Sequence, residues 1–185
     1  MYNDIIIIYY DIICTFAKNL TSMYNPITIA NYFIYKAIDL GEQITPMKVL
    51  KLVYISHGWH LALRKRPLIT EQTEAWKYGP VIESVYKAFK DFGKGDIDTL
   101  RFFTLKDKME FSELLSNDSD VKFLEKIWST YKSYSGIQLS SLTHMRNTPW
   151  YTIWHEKGGS LTNGAIIPNS LIRSHYEEKA VVNNR

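Results

Sequence analysis

A single cysteine, Cys14, leaves no pair for an internal disulfide, so packing and hydrogen bonds must hold the fold, as suits a reducing, cytoplasmic setting. A surplus of one charge is lacking too. The 22 Lys and Arg against 19 Asp and Glu give a net +3, which offers no global field for nucleic acid or an anionic membrane. Long apolar runs are absent: the segment from Ile5 to Cys14 falls short of the roughly 20 residues of a membrane span and is interrupted by Asp11. It also has neither a basic leader nor a small-residue cleavage site, so it is not read as a signal peptide. Residues 1–22 are therefore expected to be an apolar extension, with one domain over 23–180 and a frayed tail over 181–185.

Catalytic signatures are equally scarce. There is no phosphate-binding Gly-rich loop, no dinucleotide fingerprint and no G-x-S-x-G elbow. His57 and His60 lie on adjacent helical turns and could share a metal with His144, His155, His175 or Cys14 as third ligand, but none of these has diagnostic spacing. Gly58 stands where a metalloprotease would carry its glutamate. A histidine inside an apolar helix is more often a hydrogen-bonded core residue, so no enzyme, metal or cofactor is expected. The basic run Arg64-Lys65-Arg66 follows a helix too apolar to read a DNA groove, and no nucleic-acid partner is expected.

What the chain does have is hydrophobic content of 45% and aromatic content of 14%, with 13 tyrosines and five tryptophans. That exceeds what the core of a small domain requires. Exposed Tyr and Trp are preferred interface anchors, so a protein-binding module is the function class the residues favour.

Prolines divide the chain into elements. Asn25-Pro26 opens a helix with Ile29, Ala30, Phe33, Ala37 and Leu40 inward, and Thr45-Pro46 opens a second. Its inward face should hold Met47, Leu50, Val53, Tyr54 and Leu61, with Lys48 and Lys51 outward. Leu68-Ile69 and Thr73 to Tyr78 read as extended, and Gly79-Pro80 should end the strand and turn it into a helix bearing Ile82, Val85, Tyr86 and Phe89. Leu100 to Leu105 is a further candidate strand. Helices should follow after Asn117, after Ser135 with its capping partner Gln138 (ahead of Leu139, Leu142 and Met145), after Thr148-Pro149, and after Pro168. The expected fold is mainly α (α+β), a compact helical domain with a small antiparallel sheet or hairpin near the middle.

Three blocks in order carry a resemblance: Lys51-Leu52-Val53-Tyr54, Ala75-Trp76-Lys77-Tyr78-Gly79-Pro80-Val81, and Thr143-His144 followed by Pro149-Trp150. With Ile29 to Phe33, Leu50 to Leu61 and Pro67-Leu68, the chain from about 25 to 176 resembles the Panacea, or SocA-like, antitoxin domain of phage-associated proteins. The resemblance implies an antitoxin of a bacterial or prophage toxin–antitoxin system that neutralises a cognate toxin by direct binding. It also implies an alternative, a proteolytic adaptor that delivers a toxin to a ClpXP-type protease. The motif positions Lys51, Leu52, Tyr54, Trp59, Trp76, Tyr78, Gly79, Pro80, Tyr86, Thr143, His144, Pro149 and Trp150 would be mostly scaffold, Trp76 and Tyr86 being expected in the core. Toxin specificity would then lie on variable surface and the termini.

Overall fold

The computed structural model describes residues 23–162 and 164–182. Cys14, the 1–22 extension and the last three residues of the expected tail lie outside them. Among the described residues, eight α-helices and three strands follow one another as α1 (Pro26–Asp39), α2 (Pro46–Arg64), β1 (Thr73–Trp76), β2 (Gly79–Val81), α3 (Glu83–Phe89), α4 (Leu105–Leu115), α5 (Asp118–Tyr131), α6 (Gly136–His144), α7 (Pro149–Tyr151), β3 (Ala165–Ile167) and α8 (Asn169–Val182). The protein is mainly α with a small antiparallel sheet, as expected.

Local chemistry sets the helix starts. Proline stands in the first turn of α1, α2 and α7, and the Asn25, Thr45 and Thr148 side chains accept from the backbone amides of Ile27, Lys48 and Tyr151. Ser135 and Gln138 cap α6 reciprocally. The α7 turn runs on into a π turn over Thr152–Glu156 instead of a longer α-helix.

Helix α2 is the axis. It is buried on nearly every side, from Val49 through Gly58 and again at His60, Leu61 and Ala62, and packs against α1, α5, α6 and α8. Gly58 permits the α2–α8 crossing, because a Cβ there would overlap the Tyr176 ring. Lys48 and Lys51 correct the expectation of outward lysines: Lys48 is buried, its Nζ donating to the Lys132 carbonyl at 2.5 Å, and Lys51 is wholly enclosed. The opposite correction applies to Leu40, expected on the inward face and exposed because it falls at the end of its helix.

The sheet has the order β2-β1-β3, antiparallel throughout, with Trp76 opposite Gly79 and Ala75 opposite both Pro80 and Ala165. Gly79-Pro80 therefore does not end the strand in a corner. Lys77 and Tyr78 form a hairpin turn, and Gly79 to Val81 return as an edge strand, where a proline with no N–H is tolerated. Leu100 to Leu105 is not a strand: Thr104 and Asp107 form a capping box that starts α4. Of Leu68-Ile69, only Ile69 pairs, in an isolated parallel bridge with Tyr24. Buried Asp120 accepts from the Tyr24 hydroxyl at 2.6 Å, from Asn117 Nδ2 at 2.9 Å and from Arg64, tying the start of α1 to α2 and α5. No helix among the described residues is long and apolar enough to cross a membrane.

Candidate functional site

The three sequence blocks meet at the hairpin. From α2, Lys51 Nζ donates to the carbonyls of Tyr78 at 2.7 Å and Pro80 at 3.1 Å, gripping the turn from inside. From α6, Ser140 Oγ donates to the same Tyr78 carbonyl at 3.1 Å. His144 Nδ1 donates to the Ser140 carbonyl at 2.5 Å, which fixes the imidazole, and the ring packs against Trp150 with centroids 3.9 Å apart. From α7, Trp150 Nε1 donates to the Trp76 carbonyl at 2.8 Å. Gly79, at φ +106°, closes the assembly: a Cβ there would come within 2.5 Å of Lys51 Nζ and 3.0 Å of His144 Cε1.

Among the described residues, the partners of the Lys51 ammonium are carbonyls and no carboxylate pairs with it. Burial pushes its ammonium down to about 7 from an ordinary value of 10.5, because two carbonyl dipoles replace only part of its lost hydration. Fully enclosed as it is, this amine is a clamp on the backbone and not a nucleophile open to a substrate.

Other motif positions surround this junction without joining it. Leu52 and Tyr54 are buried elsewhere on α2, and the Tyr54 ring meets that of Tyr176 edge to face. Trp59 is half-buried, donating from Nε1 to the Tyr131 hydroxyl at 3.1 Å. Thr143 and Pro149 are buried at the α6–α7 junction, where the Thr148 hydroxyl donates to the Thr143 carbonyl.

The outer side of the hairpin differs. Trp76 is only half-buried, Tyr86 is 38% exposed and Tyr78 is 64% exposed, so the expectation that Trp76 and Tyr86 are core residues is corrected. For Trp76 the reason is strand alternation: Ala75 points inward and its neighbours Glu74 and Trp76 point away. Trp76 packs edge to face on Tyr86 with centroids 4.9 Å apart, and its Nε1 donates to Glu74 Oε2 at 2.7 Å. Glu74, Trp76, Lys77, Glu83, Trp154 and Gly164 line an open cleft of about 600 Å³. Trp154 reaches it from the π turn, stacked on Trp150 at 5.7 Å and 14°.

His57 and His60 are committed to separate partners. His57 Nδ1 accepts from the Leu68 amide while Nε2 donates to Asn169 Oδ1 at 2.9 Å, and His60 Nδ1 donates to the Arg66 carbonyl at 2.8 Å. Burial lowers the pKa of both, that of His60 to about 4. No group of three or more His, Cys, Asp or Glu able to hold a metal occurs among the described residues. In the basic run, Arg64 pairs with Asp120 and Lys65 with Glu177. Sequence reasoning missed Ser140, Glu74 and the joint role of Trp154. Trp154 was detectable as the i+4 neighbour of Trp150, whereas Glu74 becomes notable only once β1 is paired.

Residues 49–151 match the family described as Antitoxin SocA-like, Panacea domain, a span that contains the Lys51, hairpin and Trp150 junction. The chain belongs to the Panacea family. Among curated proteins, Antitoxin SocA of Caulobacter vibrioides (strain NA1000 / CB15N) is 29% identical over 157 residues, covering 83% of this chain and 82% of that protein. No solved structure matches. In this Panacea domain all three motif blocks thus converge on the backbone of one hairpin turn.

Proposed function

We propose that this protein is an antitoxin that neutralises a protein toxin by direct, stoichiometric binding in the cytoplasm. The observation that carries the reading is membership of an antitoxin family over residues 49–151 together with likeness to Antitoxin SocA along most of the chain. The geometry is in keeping with it. Motif side chains such as Lys51 and Trp150 are turned inward onto the backbone, while partly exposed aromatics remain on the outer side of the same hairpin. Half-exposed Trp and Tyr on a rigid support lose little side-chain entropy on binding and make effective interface anchors.

Co-expression with the small gene adjacent to this one tests the reading. Restored growth, with a complex that co-purifies, is the expected result; toxicity unrelieved for every adjacent gene would overturn it. The half-life of the toxin distinguishes the mode of action. Sequestration leaves it unchanged or lengthened, and a shortening that depends on a ClpXP-type protease would replace sequestration by the adaptor mechanism.

A further inference from the structure

We infer that the cleft beside the hairpin receives an arginine side chain of the toxin, a conclusion that rests on the antitoxin reading for the identity of the partner. The cleft combines indole surface with carboxylates. Trp76 and Trp154 contribute aromatic walls, and Trp154 is stacked on buried Trp150, which fixes the ring while the part of it that lines the cleft is left for a guest. Glu74 is held in place by the Trp76 Nε1 bond to its Oε2, and Glu83 lines the same cleft from the start of α3.

Charge complementarity selects the guest. Among the described residues lining the cleft are two carboxylates and one cation, Lys77, whose Nζ lies 5.6 Å from the centre of the Tyr78 ring; a second cation, Lys87, reaches Glu83 from α3. Glu83 is shared with Lys87 in an exposed pair that a stronger ligand can displace at little cost. Anions and nucleic-acid phosphates are disfavoured by the carboxylates, and a purely apolar side chain would leave them poorly hydrated. A guanidinium satisfies both features, because its plane stacks on indole while its N–H fork engages a carboxylate. The cleft is open and of about 600 Å³, which suits a side chain presented by a protein surface.

The test uses the full-length protein, labelled with nitrogen-15 and titrated with N-acetyl-arginine methylamide, with the norleucine and glutamate analogues as controls. Saturable shifts of the Trp76 and Trp154 indole N–H signals with the arginine probe alone are expected. Glu74→Gln with Glu83→Gln should weaken them at least about tenfold. Glutamine retains an acceptor for Trp76 Nε1, so the cleft keeps its shape. The absence of arginine-induced shifts, or equal shifts with norleucine, would overturn the inference. In the growth assay the same double variant should lose neutralisation while wild type retains it. Full rescue by the folded double variant would remove the toxin's arginine from this cleft, and failure of wild type itself would mark the antitoxin reading, not the cleft chemistry, as the error.

Discussion

The inner and outer faces of the β1–β2 hairpin have opposite chemistry on one short piece of backbone. Inside, Lys51, Ser140 and Trp150 all donate to main-chain carbonyls, so side-chain identity is used to fix backbone position. Outside, Trp76, Tyr78, Tyr86 and Glu74 leave surface and charge open to solvent. A motif that reads as one signature in sequence thus has two physical roles, and substitutions should separate them.

On the inner face, Trp150→Ala should have the largest effect, a loss of about 3–5 kcal/mol in urea denaturation, since it removes a buried indole that also holds Trp76 and supports Trp154. Gly79→Val should follow at about 3 kcal/mol, combining overpacking against Lys51 and His144 with a positive φ that a β-branched residue resists. A wild-type urea midpoint for either variant would dissolve the contrast between the faces.

Lys51 sharpens the comparison through pH. Its folded value, about 7, lies below the ordinary 10.5, so between these values the unfolded chain binds a proton that the folded chain has released. Its contribution to stability is complete above the ordinary value and is lost as pH falls towards about 7. Urea midpoints of wild type should therefore rise between about pH 7 and about pH 9.5 more steeply than those of Lys51→Met. Parallel profiles would mean that the amine is not desolvated in the folded state.

Trp76→Ala should be milder, about 1–2 kcal/mol, because the ring is half in water and its Nε1 bond lies on the solvent side. A loss as large as that of Trp150→Ala would move Trp76 to the scaffold.

Much of the frame was legible because its signals are local. Thr45-Pro46, Asn117 and the Ser135/Gln138 pair announce helix starts within a few residues, and the structure has them. The direction of Lys51 was not legible: α2 is buried almost all round, so its periodicity offers no polar face against which an inward lysine would stand out. Strand β3 was hidden because Ala165–Ile167 gains its identity only by pairing with β1, far away in the chain. At α4, the capping residues Thr104 and Asp107 were present, but Phe102-Phe103-Thr104 has the composition of a strand. Apart from Ser140, the junction residues could be named as a set from the family resemblance. Which of them face inward, and that Glu74 and Trp154 share a cleft, follows only from the paired sheet.

The most direct test measures, on one sample of the Glu74→Gln, Glu83→Gln double variant, both its stability and its affinity for the toxin encoded beside it. Both carboxylates are at least partly solvated, so stability should stay within about 0.5 kcal/mol of wild type. The predicted result is that unchanged stability together with toxin binding weakened at least about tenfold. Wild-type affinity in the folded variant would contradict the assignment of the outer face to the partner.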